Sequence, residues 1–484
     1  MESNVPEVAF GFPATIMTGM KKVVAGILVL AGLAAAGILA HHAVERDRDY
    51  RRLIVQGDEA LSRGQTFVAI EAYSGAIALK RGSMLAYLKR GEAHQRRGGA
   101  ADTLVAALRD LRTAAELDPS ATRTLEELGD VNFQLRRYSN AVASYEAYLR
   151  LDDHPAGVFY KLGLALRGAG RLTRAIGALR QAAKINPTFY EAQYALGLCL
   201  RDLQQLGDAR AAFERAVSIS PAFIPAREEL AELHRAQDRT RNEIEELEAL
   251  AALDPARAER LVEVGLAYLR AGRRERAITA LGRAAERFPD HPGVYAALGR
   301  VWLDTAEDRA EPGDVRQALE ALGPVASQST ASSETLGLYA RALVLDGRHA
   351  EAEQVFAEAS RKFPTDPDVL PHYASVAERL GHLDEARQAL ARHSALVDDS
   401  RLEAAHAARI GHLSLKLNDA EAAAIWYQRS DALNGGDAVL LARLADAQAR
   451  AGKVEAARAT AQRAIKEDPE EPLALEIARR LQVR

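Results

Sequence analysis

The sequence predicts an all-α fold, a solenoid of stacked helix pairs, from three observations. First, the stretch 156–223 repeats itself after 34 residues, which aligns Gly163 with Gly197 and Pro187 with Pro221. A period of this length is typical of solenoids built from helix pairs. Second, 48% of the residues are hydrophobic but only 6% are aromatic, so the apolar side chains are mostly small and aliphatic. Third, three sequence positions keep the same residue type along most of the chain.

These three positions define columns in twelve consecutive units, which cover residues 50–471 and contain two helices each, named helix A and helix B. The first column is a small residue in the middle of helix A: Gly57, Gly91, Gly129, Gly163, Gly197, Ala231, Gly265, Gly299, Ala340, Ala374, Gly411 and Ala445. The second is a small residue early in helix B, which only Glu243 breaks: Ala69, Ala107, Ala141, Ala175, Ala209, Glu243, Ala277, Ala318, Ala352, Ala386, Ala423 and Ala457. The third is a proline that ends helix B, because its ring cannot continue the hydrogen-bonded turn: Pro119, Pro187, Pro221, Pro255, Pro289, Pro364 and Pro469.

Gly163 and Ala175 are predicted at the contact between the two helices of their unit, where small residues allow a close approach. We expect a leucine at either position to overpack this contact. Gly168 lies near the end of helix A, where we expect alanine to be tolerated.

The residues of these columns resemble the tetratricopeptide repeat. The resemblance covers nearly all of the chain beyond residue 50 and implies a right-handed α-solenoid of about twelve helix pairs. It also implies an inner surface, lined mainly by helix A, on which extended peptides or partner helices lie. After the last repeat, residues 472–484 are predicted to form a capping helix over its exposed apolar face.

Before the repeats, we expect an extension over residues 1–22, in which Met20 is a second candidate start, and a transmembrane helix or signal anchor over residues 23–40. The run from Val23 to Ala40 is uncharged and 18 residues long, which suffices for a slightly short membrane span. Two alternatives stay open: a signal peptide cleaved at the small residues 34–36, and a buried helix of a soluble protein.

The residues that flank this run conflict over its orientation. Lys21 and Lys22 precede it, whereas four arginines follow it at positions 46, 48, 51 and 52. A positive-inside count favours a cytoplasmic C-terminal part, but long domains cross membranes largely regardless of nearby arginines. We expect a single-pass membrane protein whose repeats are periplasmic or extracytoplasmic.

Composition and motifs argue against catalysis and against nucleic acid. The net charge of −4 and the pI near 6.4 lack the basic surplus of a nucleic-acid-binding protein. The sequence contains no glycine-rich phosphate loop, no Gly-x-Ser-x-Gly and no His-Glu-x-x-His. The C-terminal histidines are not spaced to place metal ligands on one helical face: His372, His382, His393, His406 and His412. We therefore predict no enzyme activity, no cofactor and no metal site.

The resemblance implies which positions of helix A face the inner surface. At those positions stand two tyrosines and three arginines at intervals of 34 residues, with a fourth arginine one residue out of column. We predict a partner-binding groove in which the arginines form a basic ladder for an acidic extended segment: Tyr160, Tyr194, Arg167, Arg201, Arg235 and Arg270. The third unit carries Glu126 and Asp130 instead. A second interpretation stays open, because an arginine near the C-terminal end of a helix is also stabilised by the helix dipole.

Together these observations predict a non-catalytic scaffold, tethered to the membrane, that mediates protein–protein interactions in the cell envelope. A periplasmic repeat component of a polysaccharide or cell-wall assembly or export system stays open as the alternative, as does a regulatory arm of a separately encoded enzyme. The array resembles bacterial repeat proteins of envelope assembly, but the single cysteine, Cys199, excludes the Cys-x-x-Cys pairs of the lipopolysaccharide assembly group. Leu164 and Leu198 stand where some family members place asparagines that bind a terminal carboxylate.

Overall fold

The structure is a computed structural model that describes residues 14–98, 101–309, 311–397, 400–435 and 437–481. Within these ranges the chain forms 25 α-helices and no β-strand, which confirms the predicted all-α fold. Residues 1–13 of the predicted extension and residues 482–484 of the predicted capping helix lie outside the described residues.

The chain divides into two compact units, an N-terminal unit, Met1–Ala226, and a C-terminal unit, Arg227–Arg484. The N-terminal unit contains α1 (Ala14–Ser62), α2 (Thr66–Leu79), α3 (Met84–Arg97), α4 (Ala101–Leu117), α5 (Thr122–Gln134), α6 (Tyr138–Leu149), α7 (Ala156–Gly168), α8 (Leu172–Ile185), α9 (Tyr190–Asp202) and α10 (Leu206–Ile219). Helix α11 (Ile224–Ala236) begins in the N-terminal unit and continues into the C-terminal unit.

The C-terminal unit continues with α12 (Thr240–Leu253), α13 (Ala258–Arg270), α14 (Arg274–Arg287), α15 (Pro292–Arg309), α16 (Pro312–Ala326), α17 (Ser333–Leu345), α18 (His349–Lys362), α19 (Leu370–Leu380), α20 (Leu383–Leu396), α21 (Ser400–Lys416), α22 (Ala420–Asn434), α23 (Ala438–Arg450), α24 (Val454–Glu467) and α25 (Pro472–Arg480). From α1 to α24, odd-numbered helices carry the helix A column and even-numbered helices carry the helix B column. We number these pairs as repeats 1 to 12. The last helix, α25, packs against α23 and α24 and buries Ala474 and Ile477.

The small residue of helix A makes room for a large side chain of helix B. A Cβ atom added to Gly163 would lie only 2.5 Å from Cγ of Leu179, which stands four residues after the helix B column residue Ala175. Each partner of this kind is at most 1% exposed, so the contact is part of the core. The contact recurs in both units: Gly57 with Tyr73, Gly91 with Leu111, Gly129 with Tyr145, Gly197 with Phe213, Gly265 with Leu281, Gly299 with Leu322, and Gly411 with Tyr427.

The turn between helix A and helix B contains a residue in the left-handed region, five positions before the helix B column. In repeat 4 this residue is Gly170 (φ 72°), and the next amide, that of Arg171, donates to the carbonyl of Leu166 at 2.8 Å. This bond closes the end of helix A in the manner of a Schellman motif. The same position is occupied in other repeats by Gly64, Arg136, Gln204, Asp238, Gly272, Gly347, Gly381, Asn418 and Gly452.

The predicted membrane span was wrong. Among the residues that the structure describes, no helix is both long enough and apolar enough to cross a membrane. The run 23–40 lies inside α1, which continues without a break into repeat 1. The predicted single-pass membrane location with extracytoplasmic repeats depended on this span and is corrected with it. Membrane contact through the N-terminal helix is not shown.

Gly168 is also more constrained than its position near the end of helix A suggested. A Cβ atom at Gly168 would lie 2.7 Å from the ring of Tyr138, so alanine there requires the ring to move. By contrast, a Cβ atom at Gly177, in the middle of α8, would have no neighbour within 4 Å among the described residues. Gly177 is therefore the better control for substitutions in repeat 4.

Gly163→Leu is expected to destabilise repeat 4 by about 1–3 kcal/mol, because the new side chain must displace the buried Leu179. Gly177→Ala should stabilise α8 by about 0.5–1 kcal/mol, because alanine lowers the conformational entropy of the unfolded chain. The added methyl group would contact no neighbouring residue that the structure describes. Long arrays need not unfold in two states, so native-state hydrogen exchange of the α7 and α8 amides is the measurement. Equal exchange rates in both variants would show that the assigned contact is wrong.

Candidate functional site

Two of the predicted groove arginines share one carboxylate in the N-terminal unit. Arg167 lies near the end of α7 and Arg201 near the end of α9. The Nε of Arg167 donates to Oδ2 of Asp202 at 2.9 Å, and Nη2 of Arg201 lies 3.7 Å from Oδ1 of Asp202. These three residues form the N-terminal triplet, in which two guanidinium groups face one carboxylate.

The other two groove arginines share a buried carboxylate in the C-terminal unit. Oε1 of Glu243 accepts hydrogen bonds from Nε of Arg235 at 2.7 Å and from Nη2 of Arg270 at 2.5 Å. The Glu243 side chain is only 2% exposed. Burial of a carboxylate requires paired charge, and here both guanidinium groups supply it. The one break in the helix B column is thus the centre of a second arrangement of this kind, the C-terminal triplet.

The predicted ladder of single arginines is therefore organised as two triplets, one in each unit. The arginine side chains keep access to solvent, between 31% exposed for Arg167 and 49% for Arg235. Each guanidinium has five N–H donors in a planar fork. The sequence indicated the arginines but not Asp202, which follows Arg201 directly and belongs to no column.

The predicted groove tyrosines are half-buried in aromatic contacts between repeats. The ring of Tyr160 lies 5.0 Å from that of Phe189, and the ring of Tyr194 lies 5.2 Å from that of Phe223. Burial, and then the neighbouring Glu191, raise the pKa of Tyr160. The two phenylalanines are 34 residues apart, a spacing that would have revealed them in the sequence. Each tyrosine therefore offers part of its ring to a partner and uses the rest for packing.

Comparisons with known proteins agree with this repeat structure. Four family models, each described as tetratricopeptide repeat, match residues 106–155 and 160–222, 309–371 and 343–409, 258–301, and 441–470. Together they cover more than half of the chain. The chain belongs to the tetratricopeptide repeat family.

A curated relative is the small glutamine-rich tetratricopeptide repeat-containing protein 2 of Mycosarcoma maydis, which is 31% identical over 114 residues. The match covers 24% of this chain and spans about a third, 31%, of the relative. The likeness therefore concerns the repeat and not the whole relative.

Solved repeat structures resemble parts of the chain. The crystal structure of MamA is 23% identical and covers 36% of this chain and 93% of its own, with a TM-score of 0.34. YrrB, described as a TPR protein with an unusual peptide-binding site, is 23% identical over 47% of this chain and 98% of its own (TM-score 0.29). The C-terminal part of a TPR repeat-containing protein from Cytophaga hutchinsonii is 17% identical over 51% and 99% (TM-score 0.44).

Tetratricopeptide repeats 3 and 4 hold an acidic cluster on their helix A residues. Lys161 of α7 donates to Oε1 of Glu126 at 2.7 Å and to Oδ2 of Asp130 at 2.6 Å, and the Tyr145 hydroxyl donates to the same Asp130. Burial, and after it the nearby carboxylates, raise the pKa of Glu127 to about 7, while Lys161 opposes the rise. The sequence had placed Glu126 and Asp130 on this surface but had not indicated Lys161.

Two of the five C-terminal histidines contact each other across repeats 10 and 11. The rings of His393 in α20 and His406 in α21 meet edge to face, with centroids 4.6 Å apart. Burial lowers the pKa of both. The only group among the described residues with metal-ligand spacing is an exposed one in the α6–α7 loop, formed by residues 152–154. Exposed carboxylates of this kind are common without an ion, so it does not indicate a metal site.

Glu127→Gln tests the electrostatics of the acidic cluster. The folded pKa of Glu127, about 7, lies above its usual value of 4.5, so the stability that its proton contributes is fully present below pH 4.5 and is lost as pH rises through 7. Glutamine does not ionise, so the variant gains no buried charge as the pH rises. We expect the thermal midpoint of the variant to exceed that of the native protein at pH 8 and to match it near pH 4.5. A difference that stays constant over this range would contradict the raised pKa.

The C-terminal triplet makes a separate prediction about stability. Changing Arg235 and Arg270 together to glutamine leaves the buried Glu243 carboxylate without a partner, which should cost about 3–5 kcal/mol. Glu243→Ala restores the column residue, and because the arginines are partly exposed, its effect alone should stay within about 1 kcal/mol. Hydrogen exchange in α12 and α13 measures both variants.

Combining all three substitutions gives the matched control. If the destabilisation comes from the unpaired carboxylate, the triple variant should recover most of the lost protection, because the charge is removed. Failure of Glu243→Ala to rescue the arginine variant would show that the arginines act through packing of their aliphatic stems instead.

Proposed function

We propose that the chain is a non-catalytic scaffold that binds acidic extended segments of other proteins along its helix A surfaces. The observation that carries the proposal is the N-terminal triplet, in which two partly exposed arginines share one carboxylate at the ends of α7 and α9. We do not extend the proposal to the cell envelope, because the predicted membrane span on which that location depended was wrong.

The positions of the tyrosines support the same surface. Tyr160 and Arg167 are seven residues apart on α7, as are Tyr194 and Arg201 on α9. Residues seven apart lie on the same face of a helix, two turns or roughly 10 Å from one another. Each helix A therefore offers an aromatic ring and a guanidinium on one face. Both residue types are enriched in binding hot spots, since tyrosine supplies contact area and arginine forms forked bonds to carboxylates.

The competing explanation is that the arginines only stabilise helix ends through the dipole. That role requires neither regular spacing nor a shared carboxylate. It also gives no reason for Tyr160 and Tyr194 to stand on the same faces as the arginines. The two explanations differ in what happens to a bound acidic peptide when the arginines lose their charge.

The test selects ligands from a random dodecapeptide library on the full chain and then measures the affinity of a selected peptide by fluorescence anisotropy. We expect peptides enriched in aspartate and glutamate. Arg167→Gln with Arg201→Gln should weaken their binding at least tenfold, and more strongly at low salt, where charge interactions are less screened. Arg235 and Arg270 are left unchanged, because they hold the buried Glu243.

The matched control is Arg112→Gln with Arg171→Gln. Both arginines are exposed on α4 and before α8, and their loss changes the net charge by the same amount. This variant should bind as the native protein does. A selected set without acidic residues, or equal binding by the groove variant, would overturn the proposal.

A further inference from the structure

A second surface with a positive charge lies between two B helices of the N-terminal unit. A cleft of about 430 Å³ is lined by α8 and α10, with α9 between them. The exposed Arg180 and Lys184, one turn apart on α8, stand at one edge, and the exposed Arg215 of α10 stands at the other. None of the three cations is in an ion pair with a residue that the structure describes. Asp208 is the one carboxylate in the lining.

A buried amide also lines this cleft. Gln193 of α9 is 8% exposed, and its Oε1 accepts no hydrogen bond from any described residue. An unpaired buried acceptor costs free energy, and a ligand that brings an N–H donor would relieve it. Leu196 and Leu200, one and two turns further along α9, are buried beneath the same cleft. The lining therefore combines cations at the edges with an amide and an apolar base.

The same cleft occurs 68 residues later in the C-terminal unit, where its chemistry differs. That cleft lies between α12 and α14 and has a volume of about 540 Å³. Arg283 stands there in the place of Arg215, Arg276 takes the place of Asp208, and Arg287 lines this cleft as well. The places of Arg180, Lys184 and Gln193 are occupied by Glu248, Ala252 and Leu261. The repeats pack with either set of lining residues, so packing does not require Arg180, Lys184 and Gln193 in the basic cleft.

We propose that the cleft between α8 and α10 is a second peptide-binding site, which takes an acidic extended segment and binds its backbone through Gln193. The three cations are distributed over both edges, as a chain of carboxylates requires, whereas a single phosphate needs convergent charge. Gln193 decides between the two ligand classes. Its Oε1 needs a donor, which a peptide N–H provides and a phosphate dianion does not. The apolar base accommodates the small or aliphatic residues between the carboxylates.

The experiment uses the full chain and a capped decapeptide of alternating aspartate and alanine that carries a photoreactive benzophenone. The crosslinked residues are mapped by mass spectrometry, and the affinity is measured by fluorescence anisotropy. We expect crosslinks to α8 and α10. Arg180→Glu, Lys184→Ala and Gln193→Leu together introduce the residues of the equivalent cleft, so the variant should fold. It should lose these crosslinks and bind at least tenfold more weakly at the cleft.

Gln193→Leu alone isolates the amide. Loss of one hydrogen bond should lower the affinity for the peptide about two- to tenfold. Inorganic phosphate serves as the competing ligand and should not displace the peptide at equal concentration. Arg112→Glu with Arg171→Gln makes the same change in net charge as the triple variant and should keep full binding. Retained circular dichroism and exchange protection of α8–α10 confirm that the variants are folded.

The groove variant, Arg167→Gln with Arg201→Gln, separates this site from the helix A surface. If it abolishes α7 and α9 crosslinks but leaves those to α8 and α10, the cleft is an independent site. No binding of the decapeptide to the native chain, unchanged α8 and α10 crosslinks in the triple variant, or equal affinity for phosphate with no effect of Gln193→Leu would each overturn the proposal.

Discussion

The contact between a small residue of helix A and a large side chain of helix B is the constraint on which the rest of the structure depends. Gly163 has no Cβ atom, so the buried Leu179 can occupy the space beside the α7 backbone. Repetition of this contact fixes how the two helices of a repeat meet. It also fixes the place of the left-handed residue, such as Gly170, that ends helix A. Once these positions are set, the neighbouring surface residues are free to vary.

Glu243 is the one residue of the helix B column that is not alanine. Alanine stands at this place in the other repeats, yet here a carboxylate is buried and held by Arg235 and Arg270 from the two adjacent A helices. In the N-terminal unit Asp202 joins Arg167 and Arg201 from outside the column, and its side chain stays 30% exposed. The two triplets have the same charges but different roles. The carboxylate of the first is buried and needs its arginines, whereas we propose that the more exposed triplet binds a ligand.

The sequence predicted those features that repeat and missed those that depend on contacts between particular side chains. The glycine and alanine columns led to the helix pairs because a packing requirement recurs in every repeat. Asp202 and Lys161 could not be recognised, since an ion pair needs only one partner within reach and no fixed spacing. Phe189 and Phe223 could have been found from their 34-residue interval. The prediction at residues 23–40 was of another kind, because it came from local composition and from no repeating contact, and no described helix meets the requirements of a membrane span.

The two clefts between B helices extend this argument from folding to binding. Arg180, Lys184 and Gln193 occupy the same places in their cleft as Glu248, Ala252 and Leu261 occupy in the other. The second cleft is also lined by Arg276, Arg283 and Arg287, and its Glu248 accepts a hydrogen bond from the Tyr268 hydroxyl. In the first, the cations and the buried amide are left without such partners among the described residues. A shared backbone thus carries two clefts whose cations are placed differently, and Gln193 gives the first cleft a buried acceptor that has no counterpart at Leu261 of the second.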